Sequence, residues 1–291
     1  MKFVGTGAGE GIPTPFCRCE ICQNARKVRG KEIRMRSCFR VAEDLQIDFG
    51  PDTFAQSVMY ENDLFALEHL LVTHTHEDHF SIFNLFLKTM ISRGSGKKLN
   101  VYLTGDAFQL LEAFERVGFN GSKEFFQDCL HEHIIFHRLE FWEEHQIGEY
   151  FVTPIQGAHH GHFEKYSANY IITLPNRQKM LYALDTGYYS KETLDFLKNV
   201  KLDFFMIEST YGNLQRGNTP YSHLDMNSVN YLTQILYQQN TISDATYIFL
   251  THINQEQGFT HEQMTEFYDD YETPYEMYVA YDGMMIDHLL K

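Results

Sequence analysis

His69-Leu70-Leu71-Val72-Thr73-His74-Thr75-His76-Glu77-Asp78-His79 is the stretch whose reading decides the fold. Its first five residues form a short, largely apolar run of the kind found in buried strands. Directly behind it, four ligand-type residues fall within six positions. In an extended or turn segment, side chains at i and i+2 point the same way, so His74 and His76 can grip one metal ion. Asp78 and His79 follow where the chain turns toward the next helix, and can face a second ion. Imidazoles combined with a carboxylate suit Zn, Mn or Fe. A polar surface loop that merely collected histidines would not be expected to follow a buried-type strand at this density.

Outward from this stretch, short apolar runs alternate with segments of helical period. Strands are expected at Lys2–Val4, Phe39–Phe49, His69–Thr73, Leu99–Leu103, Glu149–Pro154, Ala168–Leu174, Lys179–Leu184, Asp203–Ile207, Thr246–Leu250 and Glu276–Tyr281. Helices are expected at Ser81–Ser92, Asp106–Val117, Lys191–Asn199, Asn227–Gln239 and His261–Asp270, the last with Thr260 and Gln263 at capping-box spacing. Two packed sheets with helices outside fit this α/β alternation, as do other α/β layouts. No repeat or Pro/Gly/Ser linker divides the chain, so residues 1–291 are read as one domain. Gly118–His145, rich in Phe, Glu and His, lacks clear periodicity and reads as a connecting excursion rather than a lid.

A net charge of −15 argues against tRNA or DNA as partner, because counterion release needs a basic face. No apolar run approaches the roughly 20 residues that span a bilayer. Phe3-Val4 and a glycine-rich turn at the N-terminus do not resemble a secretory signal. Three of the five cysteines crowd into Cys17–Cys22, unlike a disulfide framework. A cytoplasmic location without membrane contact is the resulting expectation.

His-x-His-x-Asp-His behind a strand resembles the central motif of the metallo-β-lactamase superfamily, and the chain carries counterparts of its other motifs in order. Asp48 in Gln46-Ile47-Asp48-Phe49-Gly50 matches the first motif, where the carboxylate supports the metal loop from behind. Val152-Thr153-Pro154 with His159, Leu184-Asp185-Thr186-Gly187 and Leu250-Thr251-His252 match the third, fourth and fifth. The resemblance implies an αββα sandwich of two mixed sheets flanked by helices. It also implies two divalent ions, Zn or Mn, one held by His74, His76 and His159 and the other by Asp78, His79 and His252. Asp185 would bridge them, with a hydroxide shared between ions roughly 3.5–4 Å apart. His160 and His162 stand beside His159, and only the count from Pro154 separates His159 from His160.

A carboxylate at Asp185, where a true β-lactamase usually has Cys, resembles the branch that hydrolyses phosphodiesters. Gly5-Thr6-Gly7-Ala8-Gly9-Glu10-Gly11-Ile12-Pro13, the following Cys17-Arg18-Cys19-Glu20-Ile21-Cys22, and Tyr281-Asp282-Gly283-Met284 are similar to the phosphoribosyl cyclic phosphate phosphodiesterases of phosphonate metabolism. In those relatives the cysteines hold a structural zinc whose fourth ligand is a His three residues after the last catalytic His. Gln255 stands there instead. An amide is a poor zinc ligand, so His261 or Cys38 is expected to close a site on Cys17, Cys19 and Cys22, with three unliganded thiols as the alternative. Cys38 and Cys129 otherwise read as ordinary core or surface residues.

His223, in Tyr221-Ser222-His223-Leu224, falls where these phosphodiesterases carry a non-coordinating active-site His. A histidine near neutral pKa there could protonate a leaving alkoxide; the competing reading is a cap for the next helix. The expected function is hydrolysis of a small phosphodiester, cyclic phosphates included, with His223, Asp185 and Asp78 carrying the chemistry. A tRNA 3′-processing nuclease, a lactone or thioester hydrolase, and a non-catalytic binding protein on the same scaffold are the rivals. A homodimer is compatible with the sequence, which names no other macromolecular partner.

Overall fold

The computed structural model describes residues 1–91, 97–117, 132–198, 200–257 and 259–290. Its strands form two mixed sheets. The first contains β1 (Lys2–Gly5), β2 (Cys38–Arg40), β3 (Leu45–Ile47), β4 (His69–Leu71), β5 (Leu99–Thr104) and β6 (Ile134–Leu139), in that spatial order. The second runs β13-β12-β11-β10-β9-β8-β7, from β7 (His145–Ile147), β8 (Tyr150–Gln156), β9 (Ala168–Thr173), β10 (Lys179–Ala183), β11 (Phe204–Glu208) and β12 (Tyr247–Thr251) to β13 (Glu276–Val279). β3, β4, β5 and β6 are mutually parallel, as are β10, β11, β12 and β13.

The two-residue period of a strand sorts side chains between layers. Met180 and Tyr182 of β10, Phe204 and Met206 of β11, and Phe249 of β12 point between the sheets, where they meet Phe3, Phe39, Ile47 and Leu71. Leu181, Ala183, Phe205, Ile207, Ile248 and Leu250 point the other way, under helices α5 (Lys191–Leu197), α6 (Met226–Gln238) and α7 (His261–Asp269). Leu70, Val101 and Leu103 of the first sheet pack outward against α3 (Ile82–Ile91) and α4 (Phe108–Val117). Central strands are therefore apolar on both faces, and the architecture is the expected αββα sandwich. Phe249 is 1% exposed and its ring lies 5.4 Å from that of Phe3; full burial of such a side chain is worth ~1.5–3 kcal/mol.

Several boundaries differ from expectation. Phe39–Phe49 is a hairpin of β2 and β3, turned at residues 41–44 and braced by the Arg40 guanidinium, which donates to the carbonyls of Ala42 and Glu43. Helices α1 (Glu20–Val28) and α2 (Thr53–Tyr60) were not expected, because each buries only a few residues: Ile21, Cys22 and Ala25, and Thr53 and Gln56. Within Gly118–His145, residues 118–131, including Cys129, lie outside the described residues. The remainder supplies β6 and the start of β7, both structural strands. The capping box of Thr260 and Gln263 is present. No helix among the described residues is long and apolar enough to cross a membrane.

Candidate metal centre

The candidate ligands all follow the C-terminal ends of strands, at one edge of the sandwich. His74 to His79 follow β4, His159 follows β8, Asp185 follows β10 and His252 follows β12. At Asp48, Asp185 and His252 the backbone takes a positive φ of 64°, 46° and 55°. Such conformations are costly for non-glycine residues, and here they turn each side chain sharply off its strand end.

Three overlapping groups of candidate ligand atoms result, the third being Asp185, His223 and His252. His74, His76, His159 and Asp185 place one ligand atom each within 4.8 Å of one another, and so do Asp78, His79 and His252. In the first group the His76 Nδ1 lies 2.8 Å from His74 Nε2 and 3.3 Å from His159 Nε2. In the second the His79 and His252 Nε2 atoms are 3.3 Å apart, and Asp78 Oδ2 is 3.2 Å from His79 Nε2. Asp185 faces both. Its Oδ2 stands 3.7 Å from His74 and from His159, while Oδ1 stands 3.0 Å from His79 and 2.8 Å from His252. Oδ1 is buried yet accepts no well-directed hydrogen bond. A buried carboxylate oxygen so surrounded by imidazole nitrogens needs a cation, and the N/O donor set fits divalent Zn or Mn.

The surroundings fix the ligands in coordinating form. Asp48 is buried, accepts from the Thr73 amide and hydroxyl at 2.9 Å, and stands 2.7 Å from His79 Nδ1. His159 Nδ1 lies 3.1 Å from the Ser222 carbonyl, leaving Nε2 for the cluster. His160 instead stacks on His159 at the exposed surface and joins none of these groups, whereas His159 does. Burial holds His74 well below the ordinary histidine value and His76 at about 4, so both keep a free lone pair. Burial also opposes charge on His79, but Asp185, Asp78 and Asp48 together raise it well above the ordinary value. Three carboxylates thus converge on a spot that calls for positive charge.

His223 adjoins this cluster, its ring 4.7 Å from that of His159 and 5.5 Å from that of His252. It does not cap α6; Asp225 does, accepting from the Ser228 amide. Its partner is Glu208, which sequence reasoning missed. Glu208 is fully buried, accepts from the Thr186 and Leu224 amides, and lies 3.0 Å from His223 Nδ1. Burial works against a charge on His223, yet Glu208 outweighs it and the pKa rises to about 9, not the near-neutral value expected. Thr210 joins the two systems, its hydroxyl lying beside Glu208 and 2.8 Å from His252 Nδ1.

The sequence matches the family described as Beta-lactamase superfamily domain over residues 45–253. The chain belongs to the metallo-β-lactamase superfamily. Among solved structures it is similar to a diphosphatase from the PhnP family, at 18% identity and a TM-score of 0.69 over 97% of this chain and 94% of that one. Zn-bound PqqB from Methylobacterium extorquens gives 16% and 0.71, covering 98% and 99%. Human short-form tRNase Z gives 16% and 0.60, covering 98% of each. At such identities these likenesses speak to the fold. No curated protein sequence matches the chain.

The three thiols of Cys17, Cys19 and Cys22 also lie within 4.8 Å of one another. The Cys19 amide donates to Cys17 Sγ and the Thr14 amide to Cys22 Sγ. His261 is not brought to them, which corrects the expectation from sequence. As the first residue of α7 it is buried against Arg34, its Nδ1 3.0 Å from the guanidinium, and its amide donates to Glu32. Burial and Arg34 lower its pKa to about 3. Cys38 is also elsewhere, buried in β2 with its thiol near the Asp48 carbonyl. The C-terminal loop instead brings Gln255 near, its backbone oxygen 4.0 Å from Cys19 Sγ and its side-chain Oε1 buried without a partner.

Because Asp185 faces both ligand groups, Asp185→Ala should lose at least one bound ion in metal analysis of the purified protein. Wild-type metal content in that variant would show that the carboxylate is not shared between two ions.

Proposed function

We propose that this protein is a dinuclear metal-dependent phosphodiesterase acting on small substrates, cyclic phosphates included. The observation that carries the reading is a proton donor built beside a two-ion ligand set: Glu208 and His223 adjoin the cluster centred on Asp185. Two divalent cations, when bound, would supply Lewis acidity toward the phosphoryl oxygens and toward water. The protein's own residues do the rest. Asp185 and the six further ligands fix where phosphorus can approach. His223, charged at neutral pH through Glu208, holds its transferable proton on Nε2 while Nδ1–H is engaged by the carboxylate. As the P–O bond to the leaving group breaks, that alkoxide takes the proton and His223 becomes neutral. The net charge of −15 favours a small substrate over tRNA, and the PhnP-family diphosphatase among the similar structures acts on phosphate chemistry by its description.

The Cys17, Cys19 and Cys22 thiols supply three of the four positions of a tetrahedral structural zinc, and we assign that role to them. Zinc analysis should find one ion beyond the catalytic pair in the wild type. Cys19→Ser should lose it, whereas His261→Ala should keep it. A wild type with no metal beyond the pair would leave three ordinary thiols.

His223→Ala should lower kcat by about 10²–10⁴-fold on substrates with an alkoxide leaving group, with metal content unchanged. The loss should be smaller with a p-nitrophenolate leaving group, which needs little protonation; an equal loss on both would assign His223 to binding. For the substrate class, the test is a panel of cyclic and linear phosphodiesters, a lactone, a thioester and a tRNA precursor, assayed with Zn, Mn and Ni supplied separately. Turnover confined to the small phosphodiesters is expected. Efficient 3′-processing of the tRNA precursor, or turnover of the lactone or thioester alone, would overturn the reading.

A further inference from the structure

Glu164 lies five residues beyond His159 and belongs to none of the motifs, yet it is only 3% exposed. Its Oε2 accepts a 2.6 Å hydrogen bond from the Thr75 hydroxyl and a 3.1 Å bond from the Phe163 amide. Its other oxygen, Oε1, is buried and has no partner, and among the described residues no cationic side chain pairs with it. A carboxylate buried in this way costs stability, because desolvation of the unpartnered oxygen is not returned. Folding alone therefore gives little reason for it.

Its contacts give one. Thr75 stands between His74 and His76, and is itself 2% exposed. On the other side, the Glu164 carbonyl accepts from the Gly161 amide at 3.0 Å, closing the turn His160-Gly161-His162 directly after His159. A Cβ at Gly161 would stand 2.1 Å from Glu164 Oε2, so any side chain there would displace the carboxylate from under the turn. One residue thus ties together the two loops that supply His74, His76 and His159, its carboxylate holding Thr75 and its backbone carbonyl closing the Gly161 turn. Asp48 makes the corresponding connection for the other group, through Thr73 and His79.

We propose that Glu164 is a positioning residue for the metal site formed by His74, His76 and His159, acting through Thr75 and the Gly161 turn. It orients ligands and touches neither ion nor substrate. The inference concerns metal affinity, so it can fail or hold whether or not the substrate reading above is right.

The test is calorimetric titration of chelator-stripped protein with Zn and, separately, Mn. Glu164→Ala should weaken one of the two ions by about 10–100-fold and leave the other unchanged. Combined with His159→Ala it should remove no further ion; combined with His252→Ala it should leave neither ion at wild-type affinity. Thr75→Val, which cuts the same contact from the opposite side and keeps side-chain volume, should show the same single-ion defect and be non-additive with Glu164→Ala. Glu164→Gln, which retains an acceptor for the Thr75 hydroxyl, should restore much of the affinity. Wild-type affinity for both ions in Thr75→Val and Glu164→Ala would overturn the proposal. So would equal weakening of both ions, or a lower melting temperature with metal affinity intact, which would make Glu164 a folding residue.

Discussion

The Asp185 carboxylate is the point on which the site's construction depends. It is buried, and imidazole nitrogens surround it from two sides at 2.8–3.7 Å. Isolated in a low-dielectric interior, such a charge would be prohibitively costly. Here the imidazoles hold it well below the usual carboxylate range despite its burial. The same arrangement gathers mutually repulsive donors at close range, and a pair of divalent cations between them would satisfy both demands at once. The two-sheet scaffold is what makes so crowded an arrangement possible. It delivers Asp185, His159, His252 and the His74–His79 loop from separate strand ends, so no single segment has to bend around an ion.

The supports divide by charge. At His74, His76 and His159 burial keeps the imidazole in the form that offers a lone pair, and at His159 the Ser222 carbonyl engages Nδ1. At His223 the same device is reversed. A fully buried carboxylate, held by two backbone amides and the Thr210 hydroxyl, raises the imidazole's pKa to about 9. Two histidines whose rings lie 4.7 Å apart thus have their pKa values moved in opposite directions, because burial dominates at His159 and Glu208 at His223.

The central motif was legible because it is local: its ligands fall within six positions behind an apolar run. The central strands were legible because burial on both faces leaves continuous apolar runs such as Phe204–Ile207. Glu208 ends that run and reads as its polar boundary; nothing local distinguishes it from a solvated strand end, since its partner lies fifteen residues away. Glu164 was hidden for the same reason, its contact with Thr75 spanning 89 positions. Helix α1 places Ile21, Cys22 and Ala25 at helical spacing but is only nine residues long, too short for the pattern to stand out. His261 misled in the opposite direction: its place in the C-terminal loop suggested a ligand, whereas the helix cap at Thr260 and the charge of Arg34 had already committed its ring.

The N-terminal glycine-rich segment shows how backbone geometry reaches the site. Gly5 lies so close to the Arg36 carbonyl that a Cβ would stand 2.0 Å from that oxygen, so β1 can enter only without a side chain there. Two residues on, Gly7 bridges to both Arg36 and Ile253, and the Ala8 amide donates to the Ile253 carbonyl. His252 is thereby fixed from its C-terminal side by the opening segment of the chain, while Thr210 fixes its ring from the other. At Gly9 a Cβ would come 3.1 Å from Asp78 Oδ2. Gly9 therefore brings bare backbone against Asp78 of the Asp78–His79–His252 group, while Gly5 and Gly7 let the segment pass close to the backbone of residues 34–36. The opening segment is a wall of the metal site, and its small residues follow from that position.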